Sequence, residues 1–159
     1  MLGERDIFYP SDWSFYIRPA TVEAIRNWSM IDDQNGNSID EVFNEVLKTC
    51  LQIKDSTDRP IPWHNICSWD RFFFLLLIRE YTFQDGESNI SYYEDCPECE
   101  TPVEFNLTSD ALMYDMPDEE VISYYDQTSR TWAIDPSEYE VEGDPITLYV
   151  PTLEKDANI

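Results

Sequence analysis

Hydrophobic residues recur at spacings of three and four in the first half of the chain and at alternate positions in short stretches of the second half. The first spacing is typical of helices with one buried face, and the second is typical of half-buried strands. We therefore expect an α+β fold in which N-terminal helices pack against short antiparallel β-hairpins. We predict a single domain with a mainly helical part over residues 1–87 and an acidic, hairpin-rich part over residues 88–159.

Two helices are predicted most clearly. Residues 34–37 indicate a turn, after which Ser38 and Glu41 form a capping box. A hydrophobic stripe follows and continues to Leu51, which predicts a long amphipathic helix. A second helix is expected from Trp69 to about Tyr81, and it is hydrophobic on nearly all sides. This second helix should therefore lie at the centre of the core.

Two hairpins are predicted in the second half of the chain. The first spans residues 88–107, where two alternating runs flank the turn Cys96-Pro-Glu-Cys99. One face of this hairpin is apolar, so we expect another structural element to cover it. The second hairpin combines strands over residues 120–125 and 130–134, and an acidic loop over residues 135–145 follows it.

A strand–proline–helix pattern occurs twice. Pro19 ends a predicted strand, and Thr21 is placed to cap the helix that follows. Pro151 and Thr152 repeat the pattern after a predicted strand over residues 146–150. Few residues follow the second copy, so we expect either a short tail that docks on a partner or a natural chain that continues further.

The charge is strongly negative and uneven. The net charge is −23, and residues 94–159 carry 18 acidic and 2 basic side chains, whereas residues 1–93 carry 15 and 8. Such a surface repels phosphate, so we expect no binding to nucleic acid or to an anionic membrane. A protein partner with a basic surface fits this charge better.

The cysteines suggest a metal site. Cys96 and Cys99 form half of a zinc-ribbon site, because two thiolates on a tight turn can share one tetrahedral ion. The other ligands would come from Cys67, His64 or a neighbouring chain, since Cys50 falls on the buried stripe of its helix. The alternative is a metal-free turn. Redox catalysis is not expected, because a strand and not a helix follows the motif.

Enzymatic activity is not indicated by any motif. The sequence contains no phosphate-binding glycine loop, no zinc-protease motif and no nucleophile elbow. Its single histidine, His64, has no recognisable nucleophile or base beside it, so we expect a partly buried loop residue. We therefore predict that the protein is not an enzyme.

Aromatic residues indicate a protein interface. Adjacent strand residues point to opposite faces, so each of the tyrosine pairs at 92–93 and 124–125 should place one ring outward. Outward aromatic rings are enriched at protein–protein interfaces. We predict an interface that includes Tyr93, Tyr124, Tyr125, Trp132 and Tyr149.

The order of these features resembles the small baseplate hub proteins of T-even-type contractile-tailed bacteriophages. The matching segments are IRPATVE at residues 17–23, the helices at 38–53 and 70–80, the CPEC hairpin at 96–107, and residues 148–154. The acidic stretch at residues 114–145 has no counterpart in this pattern. The resemblance implies a structural or assembly component of the tail baseplate in the virion, made in the host cytoplasm and bound to other tail proteins.

A second interpretation is compatible with the charge. An acidic inhibitor or DNA mimic would also carry a large negative charge and would occupy the basic groove of its target. Such a protein would act alone on a basic enzyme, whereas a baseplate component would purify with other tail proteins. The two interpretations therefore differ in whether the chain is found in virions.

Overall fold

The structure of the chain is a computed structural model that describes residues 2–29, 36–83, 90–112, 116–140 and 142–156. It confirms the predicted α+β class. Within the described ranges the helices and strands are β1 (Ser14–Ile17), α1 (Val22–Ser29), α2 (Gly36–Cys50), β2 (Leu51–Lys54), β3 (Pro60–Ile61), α3 (Arg71–Thr82), β4 (Ile90–Asp95), β5 (Pro102–Leu107), α4 (Glu119–Ser123), β6 (Tyr125–Asp126), β7 (Thr131–Ile134), β8 (Ile146–Tyr149) and α5 (Leu153–Asp156). The strands form three antiparallel sheets in the orders β1-β2-β3, β4-β5 and β6-β7-β8.

The first strand–proline–helix pattern is confirmed. β1 ends at Ile17, and α1 begins at Val22 after Pro19. Thr21 Oγ1 accepts a hydrogen bond from the amide of Ala24 at 3.2 Å, which is the geometry of a helix N-cap. The corner is therefore specified by residues that are close together in the sequence.

The second pattern is also confirmed and is attached to the core. β8 precedes Pro151, and α5 begins directly after Thr152. Thr152 pairs with Cys67 in an isolated β-bridge, and the amide of Leu153 donates to Ile66 O at 3.3 Å. These bonds hold the C-terminal corner against the segment that leads into α3.

The boundaries of α2 differ from the prediction. The helix begins at Gly36, so the turn predicted over residues 34–37 is wrong at residues 36 and 37, and residues 34 and 35 lie outside the described residues. Ser38 lies in the first turn of the helix and not at the capping position that we expected. The helix ends at Cys50, and Leu51, which we expected in the helix, begins β2. The hydrophobic stripe continues across this boundary because Leu51 and Ile53 both point into the core from β2. The part over residues 1–87 therefore contains a three-stranded sheet as well as helices.

Helix α3 is the central core helix, as predicted. Five of its side chains are buried, and the Phe74 ring stacks on Phe15 of β1 with centroids 5.5 Å apart. Leu47 of α2 and Ile53 of β2 are buried in the same cluster. The core therefore lies between α2, α3 and the sheet β1-β2-β3. No helix in the described part of the chain is long and apolar enough to cross a membrane.

The strand predicted over residues 120–125 is wrong, because Glu119–Ser123 form the short helix α4. Asp118 precedes this helix, and acidic residues in a first turn interact favourably with the helix dipole. Only β6 remains as a strand before the turn. β6 pairs with β7, which confirms the second hairpin. The acidic loop that follows contains a short 3₁₀ helix, Pro136–Tyr139.

A buried polar network joins the N-terminal segment to the start of α3. The hydroxyl of Tyr9 donates to Asp70 Oδ2 at 2.6 Å, and Arg5 Nε lies 3.1 Å from Asp70 Oδ1. The amide of Cys67 donates to the same hydroxyl at 3.1 Å. Burial raises the pKa of Asp70, while the Tyr9 hydrogen bond and the Arg5 charge oppose that rise. Burial also raises the pKa of Tyr9 well above its usual value.

Arg130 connects this network to the second half of the chain. Its guanidinium donates to Phe8 O at 3.1 Å, to Asn65 O at 2.7 Å and to Cys67 Sγ at 3.2 Å. The same group lies 5.3 Å from the ring centroid of Tyr9. The β6-β7 hairpin is therefore fixed to two separate N-terminal segments by one side chain.

Candidate protein-binding surface

The hairpin predicted around the two cysteines is formed by β4 and β5. Ile90 pairs with Leu107, and Tyr92 pairs with Phe105. Directly opposite residues share one face of an antiparallel pair, and here the rings of Tyr92 and Phe105 stack with centroids 5.1 Å apart. We call the exposed large side chains of this face, Ile90, Tyr92, Val103 and Phe105, the apolar hairpin face.

We expected another structural element to cover the apolar hairpin face, but none of the described residues does so. Its four side chains are between 36% and 47% exposed. Only Leu107, at the base of the hairpin, is partly buried among the residues of β4 and β5. Exposed apolar patches on a folded protein mark sites where partners bind. The alternation of the sequence predicted this face, but it did not reveal that the face stays open.

The charge of the hairpin is uniformly negative. Residues 90–107 contain five acidic side chains and no basic one. All five are exposed: Glu94 lies on the apolar hairpin face, Glu98 and Glu100 lie in the turn at its tip, and Asp95 and Glu104 belong to the opposite face. This surface combines apolar area with a negative border, as expected for a contact with a basic protein.

The base of the hairpin is anchored to the core helix. The two carboxylate oxygens of Glu80 in α3 accept hydrogen bonds from Ser109, one from its amide at 2.5 Å and one from its hydroxyl at 2.7 Å. Ser109 is itself buried. These two bonds fix the end of β5 relative to α3.

The tip of the hairpin is a tight turn. The amide of Glu100 donates to Cys96 O at 2.8 Å, and the amide of Cys96 donates to Thr101 O at 3.0 Å. Glu100 closes the turn in the left-handed region with φ 56°. Cys99 Sγ lies 3.3 Å from Thr101 Oγ1, and this hydrogen bond makes the largest contribution to a lowered pKa of the Cys99 thiol.

The structure does not bring Cys67 or His64 to the two cysteines of the turn. Among the described residues no group of three or more potential metal ligands is present. Cys67 lies in the core, where burial raises the pKa of its thiol to about 11. His64 Nε2 lies 3.7 Å from Glu154 Oε2. The described residues thus offer two thiols of the four ligands that a structural zinc site uses.

The structure divides the aromatic residues of the predicted interface into two groups. Tyr93 and Tyr149 are 67% and 61% exposed. Tyr124, Tyr125 and Trp132 are only partly exposed. The rings of Tyr125 and Trp132 lie 4.6 Å apart and pack against the core, so they contribute to the fold. Tyr93 and Tyr149 are the two members with a largely open ring.

Comparison with known families identifies the type of protein. The family model of the T4 bacteriophage base plate protein matches residues 7–141. The chain belongs to this family. The match includes both hairpins and continues through most of the acidic stretch at residues 114–145, for which the sequence pattern had offered no counterpart. No curated protein and no solved structure matches the chain significantly.

Membership in the base plate protein family gives the surface its context. The chain is a structural component of a phage tail baseplate, and its location is the virion. Proteins of a baseplate work among other tail proteins. An exposed apolar face on a base plate protein is therefore a candidate for one of those contacts.

Proposed function

We propose that this base plate protein is a hub component that acts through protein–protein contacts with neighbours that carry basic surfaces. The observation that supports this function is the open apolar hairpin face on a hairpin that carries five exposed carboxylates and no basic residue. Apolar side chains supply the area that is removed from water on binding, and charge selects the partner and its orientation.

The fold is suited to an architectural role. Arg130 and Asp70 connect segments that are far apart in the sequence through buried hydrogen bonds and an ion pair. Buried hydrogen bonds and ion pairs that join distant segments make the core more rigid. A rigid core holds the exposed surfaces in fixed positions, as a component of a large assembly requires. This function needs no catalytic group.

Charge also bears on how the free subunit behaves before assembly. A net charge of −23 keeps separate copies apart through mutual repulsion. The same charge accelerates association with a basic partner, because opposite fields steer the encounter. The subunit would therefore join its neighbours without first associating with itself.

Mass spectrometry of purified virions tests the proposed function. We expect the chain in intact particles at a constant ratio to other tail proteins. After partial disassembly of the baseplate, it should remain with the central hub fraction and not with the peripheral one. If infected cells contain the chain but purified particles lack it, the proposed function is wrong. If it separates with the peripheral fraction, the hub position is wrong.

A further inference from the structure

We infer that the apolar hairpin face binds an apolar groove bordered by lysine or arginine side chains on a neighbouring tail protein. This inference rests on the proposed function and adds which surface makes the contact and what chemistry receives it. The apolar hairpin face belongs to a two-stranded hairpin whose side chains are exposed along nearly its whole length.

The two largest side chains of the face are already arranged for binding. Tyr92 and Phe105 are stacked with an interplanar angle of 19°. The two rings already restrict each other, so a partner that covers them immobilises few additional side-chain torsions. Association therefore loses less conformational entropy than it would with two freely rotating rings. Aromatic rings in this position are typical of the residues that contribute most to binding. Ile90 and Val103 extend the apolar area on either side of the stack.

The mounting of the hairpin fixes where the face points. Glu80 holds Ser109 through two hydrogen bonds at the base, and the turn at Cys96 is closed by two backbone hydrogen bonds at the tip. A binding site is more effective when the elements that carry it are held by other contacts. The hairpin meets this condition at its base, where Glu80 belongs to α3, whereas the bonds at the tip shape the turn from within the hairpin.

The charges decide between possible occupants. A nucleic acid or an anionic lipid surface would be repelled by five carboxylates without a single basic residue between positions 90 and 107. A second copy of this chain on the same face would place the same carboxylates opposite one another, which costs binding energy. A protein groove with a basic border satisfies both the apolar and the charged parts of the surface.

Competition during infection tests this inference. A plasmid supplies an epitope-tagged copy of the full chain while the phage supplies its own, and the ratio of the two in purified particles is measured by mass spectrometry. The variant Tyr92→Thr combined with Phe105→Thr removes both rings and keeps a residue type that favours strands. We expect its incorporation relative to the tagged wild type to fall at least tenfold.

The hairpin offers matched controls on its opposite face. Asn106 lies next to Phe105 in β5 but on the other face, so Asn106→Thr should be incorporated within twofold of the tagged wild type. Glu94 shares the face of Tyr92, whereas Glu104 pairs with Tyr93. Glu94→Lys should therefore reduce incorporation more than Glu104→Lys. Circular dichroism and amide exchange of the purified variants verify that the hairpin is folded.

Each result has one consequence. Equal incorporation of the folded double variant and the tagged wild type would overturn the inference and leave the proposed function standing. An equal loss for Asn106→Thr would overturn the assignment to this face, and undiminished incorporation of Glu94→Lys would overturn the basic border. Absence of the tagged and the phage-encoded chain from particles would overturn the proposed function itself.

Discussion

Replacing Arg130 with alanine should destabilise the whole chain. The substitution removes hydrogen bonds to Phe8 O, Asn65 O and Cys67 Sγ, together with the contact on the Tyr9 ring. A hydrogen bond from a charged donor contributes about 1.5–3 kcal/mol to stability. Three such bonds are lost, but Arg130 is only partly buried and water replaces part of each bond, so we expect a total loss of about 3 kcal/mol.

Urea unfolding measures this loss. With a denaturant dependence of about 2 kcal/mol per molar urea, the unfolding midpoint of Arg130→Ala should fall by about 1.5 M. Circular dichroism and tryptophan fluorescence should report the same transition, because the chain is predicted to be one cooperative domain. Arg130→Lys keeps the charge but not the three donor directions, so its midpoint should lie between those of the wild type and the alanine variant.

Arg18→Ala is the matched control. Arg18 is exposed, and its side chain donates from Nη2 to Gln52 Oε1 at 3.3 Å. Its removal should cost about 0.5 kcal/mol, as is usual for a surface residue. If Arg130→Ala and Arg18→Ala unfold at the same urea concentration, the reasoning about Arg130 is refuted. Two separate transitions in the wild type would contradict the prediction of a single domain.

Three further predictions concern single sites. Hydrogen bonds, the largest from the Thr57 hydroxyl, hold the pKa of Asp55 below its usual range, so Asp55→Asn should lower stability at pH 7. The difference in stability between Asp55→Asn and the wild type should shrink as the pH falls below about 4, because Asp55 becomes protonated in the unfolded chain. Urea midpoints of the two proteins that are as far apart at pH 3 as at pH 7 would contradict this role of Asp55. Glu100 has a left-handed backbone conformation, so Glu100→Gly should relieve about 1 kcal/mol of backbone strain. Amide exchange at the hairpin tip should therefore become slower, and faster exchange would contradict the strain at Glu100. Elemental analysis tests the predicted zinc site at Cys96 and Cys99. The wild type should bind zinc and Cys96→Ser should not, whereas equal zinc content in the two proteins would contradict the site.

Elements defined by neighbouring residues could be predicted from the sequence. The corner at Pro19 and the hairpin at Cys96 each depend on a few adjacent residues, and both are present in the structure. Helix α4 was missed because Val121 and Ile122 favour strands, whereas Asp118 and the acidic first turn favour a helix start. In so short a segment, local preferences conflict and the surrounding structure decides.

Contacts between distant residues could not be predicted. Tyr9 and Asp70 are 61 positions apart, and Arg130 lies more than 120 positions from Phe8. In the sequence each of these polar residues is indistinguishable from a surface residue. The open face of the candidate binding surface could not be predicted for the same reason. The alternation of β4 and β5 separates Tyr92 from Tyr93, but only the packing of the remaining chain determines which face stays open.

Zero-length cross-linking of purified tails tests the proposed contact most directly. A carbodiimide joins carboxylates to lysines that touch them, and residues 90–107 have five carboxylates and no lysine. We predict hairpin peptides containing Glu94, the carboxylate on the apolar hairpin face, joined to a lysine of another tail protein. Cross-links from other carboxylates of the chain to tail proteins, with none from the hairpin, would contradict a contact made by the apolar hairpin face.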